Sequence, residues 1–289
     1  MERYGFKRYI FVLPAIVFIL SFMIYPLIYN LNLSFKDVTL ITFIRGTSEY
    51  IGLSNYMEVI SDPTFQRAAL NTLIFTVASI FFQFVIGFLI ALLFNKEFPL
   101  RNFLISLLML PWFIPILVSG TIFKFFLSDL GFINNVLLSL KLIKEPIPFI
   151  TNSNLALYSL VFVNVWLGIP FNFILLYTGL KGIPLELYES AEIDGATSWK
   201  KVWFITIPML KPVIITTLML GAIFTIKVFD LVWIITKGGP GNSSHLFSTY
   251  SYLLAFGNFK FGLGAAVSTI MLLVIVIVVG IFNIIKVED

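Results

Sequence analysis

Six stretches of the chain are apolar for about twenty residues each, the length that carries an α-helix across a bilayer. They cover about 8–31, 69–94, 102–126, 155–180, 213–235 and 263–285. No other feature limits the fold as strongly. A segment surrounded by hydrocarbon must satisfy its own backbone hydrogen bonds, so each run is expected as a helix. The composition agrees: 59% of the 289 residues are hydrophobic and 12% are charged. Soluble domains carry roughly 45–50% and about 25%, and a soluble protein of this make-up would expose aggregating patches. The expected fold class is all-α integral membrane, with six transmembrane helices.

Pro14, Pro26, Pro111, Pro115 and Pro170 fall inside these runs. Proline is tolerated in a membrane helix where neighbouring helices take up the freed carbonyl. A packed bundle is therefore expected. Arg3, Lys7 and Arg8 ahead of the first run look like the start of a signal peptide. The apolar run is too long for one and no A-x-A-like site follows, so a retained helix is expected. The chain has no cysteine, which excludes disulfides and thiolate metal sites.

Six spans put both termini on one face. With the N-terminus inside, Arg3, Lys7, Arg8, Lys96, Arg101, Lys181, Lys200, Lys201, Lys211 and Lys286 lie on inner segments. Those segments total roughly 50 residues, against eight basic residues in roughly 90 outside, so cytoplasmic termini are favoured. The net charge of +4 follows from this bias and asks for no nucleic acid.

The longest inner segment, 181–212, is too long for a structureless loop. It reads ELYESAEIDGATSWKKVWFITIPMLKP from Glu186 to Pro212. Pro184 suits a first helical position, and Glu186 and Glu189 favour the positive end of a helix dipole. Leu187, Ala191 and Ile193 are expected to form an apolar face. Gly195 suits a left-handed turn. Thr197 or Ser198 can cap a second short helix through Trp199, Val202 and Trp203, with Pro208 and Pro212 at its end. The product is a helix–turn–helix elbow. It is either an interfacial amphipathic element or a knob docking into a protein partner. Surface helices on membranes prefer Lys and Arg on the polar face, and this one begins acidic.

This segment resembles the EAA coupling loop of permease subunits in binding-protein-dependent ABC importers. The pattern reads Glu189-Ser190-Ala191, Asp194-Gly195-Ala196, Ile205-Thr206-Ile207-Pro208 and Pro212, with Ser190 in place of the family's alanine. Gly52 to Thr76 and Phe229 to Tyr252 are similar to other parts of sugar-type permeases, the MalF/UgpA-like group in its six-helix form. The resemblance implies a type I ABC importer permease fold: one domain over 1–289, its core about 69–286. It also implies a coupling loop with Glu189, Ala191, Asp194, Gly195, Ala196 and Pro208 as its ATPase-coupling residues. Glu189 would pair with a basic residue of an ATPase, and Gly195 would permit the turn. The implied partners are a second homologous permease, two cytoplasmic ATPases, an extracellular solute-binding protein and a sugar. The implied location is a bacterial cytoplasmic membrane.

Thr236 to Ser244, TKGGPGNSS, is glycine-rich beside a lysine but is not a phosphate-binding loop. It reads as a turn in an outer loop. No cofactor is expected on this chain, ATP and magnesium belonging to the partner ATPase. His245 is the only histidine, which leaves a transition-metal site or a His-based triad without support. No catalytic constellation stands out, so no enzyme activity is expected.

Polar groups within spans face a bundle interior or a cavity. Counting along the runs places Gln83, Asn164 and Lys227 near one depth, with Trp166, Asn172, Asp230 and Trp233 within two or three turns. Amides and charges beside indole rings suit a sugar path. Equally, the amides can join helices, and Lys227 can neutralise Asp230 three residues on. The expected function is a non-catalytic permease for an oligosaccharide-type sugar. A permease for glycerol phosphate or another polyol is the alternative, followed by a secondary transporter working alone.

Overall fold

The computed structural model describes residues 5–287, with side chains over 11–285. Arg3 lies outside the described residues, as do the side chains of Lys7, Arg8 and Lys286. The chain forms two compact units, one of residues 1–66 with Tyr250–Leu272 and one of Arg67–Thr249 with the rest. Almost all regular structure is helical. Among the described residues, five helices are long and apolar enough to cross a membrane, and a bent pair brings the number to six.

In the first unit, α1 (Gly5–Ile19) and α2 (Tyr25–Ser34) are joined by a wide turn, Leu20–Ile24. Proline explains the widening. Pro26 has no N–H to donate, and its ring would strike the carbonyl four residues back. The Tyr25 amide instead reaches back five residues to the Leu20 oxygen. Every described residue from Phe11 to Tyr29 is exposed, and the span is held at its end, where Asn30 donates to Thr269 at 3.4 Å and accepts from Ser268 at 3.2 Å. Its apolar side chains are suited to lipid. A two-stranded hairpin follows, β1 (Lys36–Asp37) pairing antiparallel with β2 (Glu49–Tyr50). Between them lies α3 (Leu40–Arg45), capped by reciprocal bonds between Thr39 and Thr42. Next comes α4 (Ser54–Ser61), whose buried Asn55 donates to the Ser34 and Lys36 oxygens, both at 2.9 Å. Tyr250, at 2.5 Å, donates its hydroxyl to Asp62. Burial raises the Asp62 carboxyl, but bonds from Tyr250, Thr64 and Phe65 outweigh it and hold the group below its usual value.

The second unit holds most of α5 (Pro63–Phe94), then α6 (Arg101–Phe113), α7 (Ile116–Phe126) and α8 (Phe132–Ser139). The expected third span is not one straight helix. α6 and α7 meet at 93°. Ile114, just before Pro115, is extended at ψ 127°, the conformation that the proline ring forces on its predecessor. α9 (Ala156–Lys181) is apolar on all sides and half of it is buried, including Pro170. Such a helix must be covered all round. Phe75 on α5, Leu160 and Val163 on α9, and Leu231 and Val232 form one core cluster.

The elbow follows as α10 (Leu185–Ile193) and α11 (Ser198–Lys201). The chain then continues through a second wide turn, Val202–Thr206, into α12 (Ile207–Ile226). Pro208 and Pro212 therefore do not end a short helix. The widened turn accommodates Pro208 just as the first one accommodates Pro26, and the helix runs on. The expected fifth span thus begins earlier, and it also breaks: Lys227 to Phe229 are non-helical before α13 (Asp230–Ile235). Ser248 donates to the freed Val228 oxygen at 2.5 Å.

Thr236 to Ser244 is a closed turn. Ser244 Oγ bonds Thr236 Oγ1 at 2.8 Å, and Asn71 Nδ2 on α5 donates to the Ser243 and His245 oxygens at 2.8 and 3.1 Å. Gly238, at φ +82°, lies against the buried His245 ring. α14 (Phe247–Tyr252) and α15 (Phe261–Val287) complete the chain.

Candidate functional site

The elbow is built from a helix ending. Asp194 closes α10, Gly195 adopts φ +76°, and two amides reach back: Gly195 to the Glu192 oxygen at 3.0 Å and Ala196 to the Ala191 oxygen at 2.8 Å. This reciprocal pair around a left-handed residue is the Schellman ending. Thr197 then caps α11 by accepting from the Lys200 amide. Lys201 Nζ meets Glu192 Oε1 at 2.5 Å, and Tyr188 and Thr206 share a hydroxyl bond at 3.0 Å.

The motif residues therefore divide by role. Ala191, Asp194, Gly195 and Ala196 make the turn. Glu189 is exposed with Glu186 on the outer side of α10, and Pro208 sits in the first turn of α12. Pro184 stands just ahead of α10 rather than inside it. The expected face of Leu187, Ala191 and Ile193 does not form. Ala191 is half-buried, whereas Ile193 is 89% exposed, because residues two apart point to different sides of a helix.

A cavity of about 390 Å³ lies where the two helix breaks meet. Ile116 comes from the first break and Val228 from the second. Trp112, Phe171 and Phe224 form a row of edge-on rings along it, with centroids 6.1 and 5.6 Å apart. Gln83 and Asn164 supply its amides. Gln83 Nε2 donates to the Asn164 backbone oxygen at 2.8 Å. Its carboxamide lies where a side chain on Gly168 would be. Asn164 is 7% exposed, and among the described residues its Nδ2 has no partner. None of the residues lining the cavity is ionisable.

Residues 83–286 match the family of binding-protein-dependent transport system inner membrane components. The chain belongs to this family. It is 32% identical over 265 residues to a trehalose/maltose transport system permease of Thermococcus litoralis, covering 90% of this chain and 86% of the relative. A lactose transport system permease of Rhizobium radiobacter is 33% identical, with 96% and 94% covered. Among solved structures it is similar to a chain of a bacterial alginate ABC transporter in complex with a periplasmic protein carrying alginate pentasaccharide. The TM-score is 0.83 at 25% identity, with 96% and 93% covered. The fold is the type I ABC importer permease fold expected from the sequence.

In this permease the seven midplane candidates scatter. Gln83 and Asn164 come together in the cavity. Trp166 faces away and packs edge-on against Phe123 at 5.1 Å. Asn172 is buried and donates to the Gly168 oxygen in its own helix at 3.0 Å. Trp233 stacks on Phe229. Lys227 and Asp230 are exposed at the second break and, among the described residues, form no ion pair with each other. Lys227 instead lies 5.1 Å from the Phe224 ring centroid. Trp112, Phe171, Phe224 and Thr225 line the cavity but were absent from the sequence reading. A Trp or Phe in an apolar run carries no sign of whether it faces lipid or a cavity.

Proposed function

We propose that the chain is the permease subunit of an ATP-driven importer for an oligosaccharide-type sugar, and that the cavity is its share of the substrate path. The observation that carries this reading is Asn164 Nδ2, a buried donor without a partner beside a row of aromatic rings. Leaving such a donor unsatisfied costs roughly 1–3 kcal/mol. A sugar hydroxyl removes that cost, and the apolar face of the sugar ring packs on the aromatics. The lining residues carry no charge, and the nearby Lys227 lies over the Phe224 ring, so the uncharged sugar is favoured. The named substrates of the trehalose/maltose and lactose relatives support the same class.

The chain has no catalytic or cofactor role in this reading. It forms one permease domain with cytoplasmic termini in a cell membrane. The coupling loop of 181–212 docks through Glu189 on one of two ATPases, which use ATP and magnesium. A second permease completes the path, and an external solute-binding protein delivers the sugar, as the alginate complex suggests. The test is uptake by the reconstituted importer of labelled neutral disaccharides, trisaccharides and glycerol phosphate. Concentrative, ATP-dependent uptake of a neutral sugar, lost on Asn164→Leu, supports the reading. ATP-independent uptake, or transport of glycerol phosphate alone, overturns it.

A further inference from the structure

A second cavity, of about 420 Å³, lies behind the elbow. Its position is defined by the sequence. The apolar run of α5 ends at Phe94, and Asn95 and Lys96 follow it into the cavity wall. The apolar part of the wall is mainly aliphatic, with Leu92 and Leu93 from α5 and Leu180 from the end of α9, beside the ring of Tyr188. The polar part is cationic and hydroxylic, with Lys96, Lys201 and Ser198. No lining residue is acidic. Lys201 is engaged by Glu192 from outside the cavity, whereas Lys96 is exposed and, among the described residues, has no ion pair. The site thus joins hydrocarbon to positive charge at the end of a membrane span.

We infer that this cavity binds an anionic phospholipid, with its phosphate at Lys96 and Lys201 and an acyl chain along Leu92, Leu93 and Leu180. Basic pockets between membrane helices at the headgroup level favour such lipids. A zwitterionic lipid gains the same apolar contact but less from the two lysines. A soluble anion gains the lysines but none of the leucines. The inference goes beyond the transport reading and stands whether or not that reading holds.

The test is lipid retention by the purified, delipidated full chain, read by native mass spectrometry. The probes are dioleoylphosphatidylglycerol, dioleoylphosphatidylcholine and inorganic phosphate. Phosphatidylglycerol is expected to be retained in preference, with roughly fivefold of that preference from Lys96, the lysine not engaged by Glu192. Lys96→Gln with Lys201→Gln removes the preference and leaves phosphatidylcholine retention unchanged. Lys96→Arg and Lys141→Gln, the latter after α8 and outside the lining, keep it. Equal retention of the two lipids overturns the inference, as does a preference that survives the double substitution. Binding of inorganic phosphate as tight as that of the lipid overturns it too, since the site would then take a free anion.

Discussion

Gln83 donates from α5 to the backbone oxygen of Asn164 on α9 at 2.8 Å. The bond joins two spans through Asn164's main chain and leaves its side-chain amide to the cavity. Asn164→Leu is therefore expected to separate transport from stability. Sugar uptake falls roughly 5- to 150-fold, the equivalent of about 1–3 kcal/mol. The thermal midpoint of the purified protein is unchanged or slightly higher, because a buried unsatisfied donor has been removed. A fall in both together would mean that the amide is structural.

Gly168 is the other half of this arrangement. An added Cβ would fall on the Gln83 carboxamide. Gly168→Ala must move the Gln83 carboxamide, the end of a flexible side chain, and the cost is that of its bond to Asn164, about 0.5–1.5 kcal/mol. Thermal unfolding should show a lower midpoint. Gly168→Ala combined with Gln83→Ala should recover part of that loss. If the double variant is no more stable than the single one, the two residues do not compete for the space.

At the elbow, geometry and charge can be tested apart. A Cβ on Gly195 meets nothing within 4 Å, so Gly195→Ala pays only for its left-handed backbone, about 1 kcal/mol. It should weaken the elbow without abolishing ATPase association. Glu189 is exposed, and Glu189→Lys should leave stability within about 0.5 kcal/mol of the parent. It should nevertheless strongly reduce ATPase co-purification. Retention of the ATPase by Glu189→Lys at the parent level would remove Glu189 from the docking surface.

His245 makes the turn after α13 sensitive to acid. Burial pushes its imidazole down to about 4 from 6.5, so the folded turn holds it neutral. The unfolded chain binds the proton more readily. The stability that depends on the neutral ring is complete above about pH 6.5 and is lost as pH falls through about 4. The full loss is on the order of 3 kcal/mol. Unfolding midpoints between pH 7 and 4 should decline more steeply for the parent than for His245→Gln. Parallel declines would show that another group governs the acid response.

Much of this was legible in the sequence. The runs around α5, α9 and α15 were placed from apolar length alone, since a bilayer leaves the backbone only one way to satisfy itself. The elbow was legible too, because a helix ending is local chemistry: Gly195 and its neighbours form their bonds within six residues. The breaks were harder. Pro115 lies at the first, but a proline inside an apolar run is expected to be tolerated and gives no sign of the 93° bend. No proline lies near Lys227–Phe229, where Ser248 stabilises the opened backbone from twenty residues away.

The sequence by itself determined a membrane protein of about six helices with an acidic elbow, because hydrophobic length and helix punctuation act over short stretches. Only the tertiary structure decided which polar residues share a site. Gln83 and Asn164 meet, while Trp166, Asn172 and Trp233 pack elsewhere. Depth along a span follows from counting residues. The direction a side chain faces depends on what neighbouring helices cover, and that is set by contacts between residues far apart in the chain.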